Sequence, residues 1–237
     1  MEDWKDPQTA RDWSADPVSH NPTRPEQLDI MLDVLQAEWR KDCTILDIGM
    51  GSGLIEEMIF KRLPEAYIIG VDGSRAMLEL AYERLRGWEG QYEVIVHELT
   101  EPETLELPHD EDFGIAVSVQ TIHNVADEHK HKLFRLIHDA LMPGGLFLLL
   151  DRIGVATPHL FDVYEAVWQR LSRIHNSRPH EGTTYEEHTR SVAERGDLPI
   201  TLEQHLEWLR EAGFEAACIH LHGNRALFAA RKVTSDE

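Results

Sequence analysis

The 237-residue chain has only two cysteines, Cys43 and Cys218, and neither sits in a metal-type pair. A disulfide framework is therefore excluded, and a reducing compartment is the expectation. Basic residues are scarce too: 23 Lys and Arg stand against 43 Asp and Glu, a formal net charge of -20 with histidine neutral. A surface this acidic repels a phosphate backbone unless its cations gather on one face. They do not gather in the sequence, since 1–40 carries 9 acids to 4 bases, 41–150 carries 20 to 9, 151–200 carries 8 to 6 and 201–237 carries 6 to 4. Nucleic acid is not an expected partner. No apolar run approaches the ~18 residues of a membrane span. The start, MEDWKDPQTARDW, also lacks the basic stretch and apolar core of a signal peptide. A soluble, cytoplasmic protein with no membrane partner is expected.

Hydrophobic residues make up 42% of the chain and charged residues 28%, enough apolar surface for a sizeable core and too much for disorder. From Cys43 onward, short β-rich runs alternate with helical patterns, the arrangement of a parallel sheet covered on both faces. Strands are expected at Thr44–Ile48, Tyr67–Val71, Glu93–His97, Ile115–Val119 and Leu146–Asp151, with helices at Leu54–Leu63, Ser74–Leu85 and Asp127–Leu141. Ser74 and Asp127 occupy N-cap positions, and Pro143-Gly144-Gly145 should end the third helix and turn the chain into the fifth strand. Thr201-Leu202-Glu203-Gln204 has the form of a capping box opening a helix through Ala212, closed by Gly213. Strands Glu215–Leu221 and Arg225–Arg231 follow, joined by His222-Gly223-Asn224 as an antiparallel hairpin. Two segments fall outside this rhythm. One is an N-terminal arm and cap helix, 1–40, with a helix around Glu26–Trp39. The other is 152–200, where Leu160, Val163, Tyr164, Val167, Trp168, Leu171 and Ile174 mark an amphipathic helix followed by a polar loop. An insertion there would lie over the carboxyl ends of the strands, where open α/β sheets bind ligands.

The most specific motif is Asp47-Ile48-Gly49-Met50-Gly51-Ser52-Gly53, a loop with glycine at every second position between a strand and a helix. Asp72, nineteen residues after Gly53, ends the next strand, where doubly wound folds place the carboxylate that takes ribose hydroxyls. An N-cap role is its alternative, with Ser74 better placed for that. A dinucleotide loop would carry a third glycine at position 54, which here is Leu54.

With G-x-G-x-G after an acidic residue, the sequence resembles the class I S-adenosylmethionine-dependent methyltransferases. Asp72, Glu98-Leu99, Ser118–Asn124, Leu141–Gly145 and the terminal hairpin continue the resemblance, which covers 43–151 and 201–232. It implies a single α/β domain, 1–237: a Rossmann-like doubly wound seven-stranded sheet with a C-terminal antiparallel hairpin and a helical lid insertion at 152–200. S-adenosyl-L-methionine is the implied cofactor. Asp72 would accept from its ribose, with Gly73 and Ser74 beside it. Gly49, Gly51 and Gly53 would admit its methionine part, and Asp47 would brace the loop near its ammonium group. Glu98 would accept from the adenine amine, to whose ring Leu99 offers a backbone N–H. Ser118 and Gln120 would face the ammonium group, and Arg24 the methionine carboxylate. Trp13 resembles an arm aromatic that caps the cofactor.

His123 is the candidate general base, needed only if the acceptor must lose a proton; its alternative is a partly buried structural histidine. The arginines and histidines of 152–200 (His159, His175, His180, His188), with Phe161, Tyr164 and Trp168, would suit a small anionic or aromatic acceptor. Their alternative is docking on the core. No ligand spacing supports a metal site. A homodimer is one expected assembly. A nicotinamide-dependent oxidoreductase and a non-catalytic cofactor-binding module stand as alternatives.

Overall fold

Along each central strand, successive buried side chains point to opposite faces, so one sheet sorts two apolar layers. The computed structural model describes residues 5–15, 21–108, 112–176 and 182–233. Its strands are β1 (Thr44–Ile48), β2 (Ile68–Asp72), β3 (Tyr92–Val96), β4 (Phe113–Val119), β5 (Leu141–Arg152), β6 (Phe214–His222) and β7 (Arg225–Lys232). They form one sheet in the order β3-β2-β1-β4-β5-β7-β6, parallel except for β7, which runs antiparallel to both neighbours. The helices are α1 (Pro7–Ala15), α2 (Arg24–Glu38), α3 (Leu54–Arg62), α4 (Arg75–Arg84), α5 (Asp127–Ala140), α6 (Phe161–His175), α7 (Tyr185–Arg195) and α8 (Leu202–Glu211).

Ile45, Ile68, Ile115 and Leu148 join Leu32 of α2, Ile59 of α3 and Leu78 of α4 on one face. Leu46, Ile69, Ala116 and Leu149 join Leu133 and Phe134 of α5 and Leu209 of α8 on the other. Each such side chain, fully buried, stabilises the fold by about 1.5–3 kcal/mol. The sheet therefore holds its strand ends at fixed positions, and the site is built on those ends.

Ser74 caps α4 by accepting from the Met77 N–H, and Thr201 and Gln204 close the expected capping box. Four expectations need correction. Asp127 is the first residue of α5 and not its cap; Ala126 precedes the helix, and Asp127 pairs with the buried Lys130 at 2.8 Å. Pro143-Gly144-Gly145 makes no separate turn: β5 starts at Leu141, and the break shows only as a register shift against β4. The polar loop after α6 contains a further helix, α7, because Thr184 caps it on the Glu187 N–H and Gly196 ends it. The N-terminal arm is also partly helical, with Ala10 of α1 packed on Ala76 and Met77 of α4. His180, named from the sequence, lies outside the described residues. No helix among the described residues is long and apolar enough to cross a membrane.

Candidate active site

A cavity of about 740 Å³ opens at the carboxyl ends of the parallel strands. Gly49 and Gly51 line it after β1, Asp72, Gly73 and Ser74 after β2, Glu98 and Leu99 after β3, and Gln120 and His123 after β4. Arg24 of α2 and Trp13 of α1 close it from the N-terminal side. The acceptor candidates Phe161, Tyr164, Trp168 and His188 do not line it; Phe161 and Trp168 are buried together with Leu171. Three cofactor candidates also stand elsewhere. Ser118 is fully buried and donates to the Ile48 carbonyl at 2.7 Å, tying β4 to β1. Gly53 begins α3 at φ +74°, where a Cβ would press on Ala81 and Leu85 at 3.2 Å, so it serves helix packing. Asp47 is 1% exposed and lies behind the loop, against Glu56 of α3. All four oxygens of these two carboxyls are buried without a hydrogen-bond partner. Burial pushes Asp47 up to about 7 and Glu56 well above the ordinary range, each also repelled by the other or by Asp72. The shared burial favours the neutral form of both carboxyls.

The glycine loop is held from two sides. Gly49 sits at φ +86°, and a Cβ there would come within 2.2 Å of Thr121, so no other residue fits. Asp72 accepts from the Gly51 N–H at 2.9 Å and the Ser74 N–H at 2.7 Å. Burial, opposed by these two bonds, leaves its carboxyl above the usual value. Each oxygen keeps a second lone pair for a ligand. Glu98 pairs with Lys5 at 2.6 Å across exposed side chains, a contact worth little in water.

Gln120 combines two signs of function. It is one of two described non-glycine residues with positive φ, at +54°, and its Nε2 is buried without a partner. The two features place a strained backbone and an unpartnered donor together on the cavity wall.

At the other end, His123 Nδ1 lies 2.5 Å from Asp151 Oδ1, and the His123 N–H donates to Asp151 Oδ2 at 2.8 Å. Burial holds the His123 imidazole below its usual value against the pull of Asp151, with Arg152 and Arg225 acting in the same direction as burial. Burial would raise Asp151, but His123, His205 and the Arg152 N–H keep it ionised and below the usual range. Neutral His123 thus carries its proton on Nδ1 toward Asp151. Nε2 is left on the cavity side, 3.8 Å from Asp197 Oδ1. Asp197 in turn binds Arg152 and, at 3.4 Å, Arg195.

The sequence pointed to His123 and named Arg152 and Arg195 only as lid charges. It gave no role to Asp197 or Arg225, both on the wall. A charged residue ending β5 next to another ending the terminal hairpin was the signal available. Among the described residues no group of three or more His, Cys, Asp or Glu gathers as a metal site.

A methyltransferase-domain family model matches residues 45–145. A carboxy-S-adenosyl-L-methionine synthase of Pseudomonas aeruginosa is 30% identical over 188 residues, covering 77% of this chain and 74% of that protein. The chain belongs to the class I S-adenosylmethionine-dependent methyltransferases. A carboxy-S-adenosyl-L-methionine synthase of Trichodesmium erythraeum is 27% identical to this methyltransferase over 206 residues, covering 83% of the chain and 76% of the relative. Among solved structures, an O-methyltransferase family protein from Burkholderia thailandensis superposes with a TM-score of 0.68 at 13% identity, over 97% of this chain and 61% of that one. Phosphoethanolamine N-methyltransferase 2 of Haemonchus contortus, in complex with S-adenosyl-L-methionine, gives 0.61 at 20% identity over 87% and 53%. These two likenesses show the shared fold. The cofactor of this methyltransferase is S-adenosylmethionine, and the cavity fits it: a carboxylate with lone pairs to spare, a loop no side chain fills, an orphan amide and a buried guanidinium.

Proposed function

We propose that this methyltransferase acts on an ionisable hydroxyl of a small molecule, with His123 as general base and Asp151 as its positioning residue. The observation that carries this is the buried 2.5 Å contact between them, which fixes the tautomer and leaves Nε2 on the cavity side. S-adenosylmethionine, when bound, supplies a methyl group on a sulfonium, open to in-line displacement. Asp72 accepts from the ribose hydroxyls through its free lone pairs, flanked by Gly73 and Ser74. Glu98 and Leu99 take the adenine. Gly49, Gly51, Gln120 and Arg24 take the methionine end, where Gln120 Nε2 donates to its carboxylate. His123 Nε2 removes the hydroxyl proton, and Asp197 faces the imidazolium that results. From 152–200, Arg152, Arg195 and Asp197 face the acceptor. Two free cysteines, Cys43 buried and Cys218 half-buried, support a cytoplasmic location.

Calorimetric titration with S-adenosylhomocysteine and with NAD tests the cofactor side. Micromolar binding of the first and none of the second is expected, and the reverse would sink the reading. A second reading draws on the relatives named carboxy-S-adenosyl-L-methionine synthases: a carboxylated cofactor in the same cavity, where four arginines gather. Comparing the affinities of carboxy-S-adenosylmethionine and S-adenosylmethionine decides whether it holds.

A further inference from the structure

Among the described residues, three arginines, Arg152, Arg195 and Arg225, line the acceptor end of the cavity beside one carboxylate, Asp197. Arg152 and Arg195 share Asp197. Asp151 is taken by His123 and by the Arg152 backbone N–H. Arg225, the first residue of β7, is 4% exposed, and among the described residues no carboxylate lies within ion-pair distance of it. Its Nη1 donates to the Asn224 carbonyl at 3.2 Å and the Asn224 Oδ1 at 2.7 Å. Its Nε is buried without a partner. Nη2 makes no hydrogen bond among the described residues and is left to the cavity that Arg225 lines. In the β5–β7 ladder Arg225 stands directly opposite Arg152, a like-charge pairing that weakens a sheet. Burial, opposed by the charge of Asp151 and reinforced by Arg195, pushes Arg225 down to about 10, so it stays charged at neutral pH. A buried guanidinium held by its neighbour's amide, with no carboxylate in ion-pair contact among the described residues, is a site for an anion the ligand brings.

We infer that Arg225 binds a carboxylate beside the transferred group, making this methyltransferase specific for an acidic ligand. The inference rests on the function proposed above. Arg225 is near enough to His123 for its charge to depress the imidazole, so a carboxylate on Arg225 sits next to the base. The carboxylate has two sources, an acid group on the acceptor or a carboxyl on the cofactor's transferable carbon.

The protein saturated with S-adenosylhomocysteine is titrated with 4-hydroxybenzoate and with its neutral methyl ester. In parallel, the ligand-free protein is titrated with S-adenosylmethionine and with carboxy-S-adenosylmethionine. The acid form is expected to bind at least tenfold better than its neutral counterpart in one of the two arms, and that arm names the source. Arg225→Gln should remove the preference and leave S-adenosylhomocysteine affinity within twofold, while Arg225→Lys should restore part of it. The inference is overturned by no preference in wild type in either arm, by a preference that survives in Arg225→Gln, or by a parallel loss of S-adenosylhomocysteine affinity. That last result would move Arg225 to the cofactor's own carboxylate. Should Arg225→Gln not fold, Asn224→Ala, which frees the guanidinium without removing it, is expected to weaken the acid form alone. Failure of wild type to bind S-adenosylhomocysteine would instead defeat the functional reading.

Discussion

His123 is active as a base only when neutral, and burial keeps it neutral to a lower pH than an ordinary histidine. Activity should be present above its pKa and lost as pH falls through it, so the acid limb of kcat/KM is expected below pH ~6.5. Asp151→Asn removes the charge that favours the imidazolium. The plateau should then fall about 10²-fold, and the limb should move further to acid, with S-adenosylhomocysteine affinity retained. A pH–rate series on both proteins reads this, and an unmoved limb would assign the pair a structural role. Asp72→Asn keeps one acceptor oxygen for the loop but loses the charge. Cofactor affinity is expected to drop about 10²-fold by calorimetry, from two charge-assisted hydrogen bonds of roughly 1.5–3 kcal/mol each that are only partly replaced. Gly49→Ala should fail more severely, since the new Cβ meets Thr121 at 2.2 Å on a backbone at φ +86°. At this scale the sequence was informative where one residue's chemistry is local. The glycine at 49 and the carboxylate at 72 are forced by the turn and strand they stand in. The burial of Asp47 was not legible, because its place beside the glycines does not say which side of the loop it faces.

Asp47 of β1 and Glu56 of α3 are both buried without hydrogen-bond partners, and together they make stability depend on pH. Both folded-state values lie above those of the unfolded chain, so the stabilisation is fully present below the ordinary carboxylate range. It is lost as pH rises toward about 7, where Asp47 ionises. Wild type should therefore be less resistant to urea at pH 8 than at pH 5.5. Glu56→Gln offers Asp47 an amide N–H in place of a proton-bearing acid. It is expected to gain at least about 1 kcal/mol at pH 8 and to flatten the difference. An unchanged pH slope in the variant would show the pair ionised in the native state. Elements were legible where caps and periodicity agree: Ser74, Thr201 with Gln204, and the His222–Arg225 turn. Helix α7 was hidden because Tyr185–Arg195 buries only His188 and Val192, leaving too few apolar residues to mark a stripe. The start of β5 was hidden because Pro143 and the two glycines read as a turn when the partner strand is not known.

For the whole molecule, ligand binding should appear as stability, because S-adenosylhomocysteine binds only the folded chain. At a hundred times its Kd the gain is about 2.7 kcal/mol, a rise in Tm of roughly 5–10 °C. Equal concentrations of NAD should leave Tm unchanged, and a comparable rise with NAD would contradict the cofactor assignment. The net charge of -20 has its own place in this picture. Most of the acid excess belongs to 41–150, yet at the acceptor end of the cavity arginines outnumber the carboxylates that face them. The sequence by itself determined the strand–loop–helix unit, the G-x-G-x-G loop, the partnering carboxylate and the terminal hairpin, because hydrophobic periodicity and turn chemistry act over a few residues. Only the tertiary structure decided which charges meet. His123, Asp151 and Arg225 lie far apart in the chain and converge because the strand order places β5 between β4 and β7. That order is set by burial of two apolar faces, a long-range condition that no local pattern encodes.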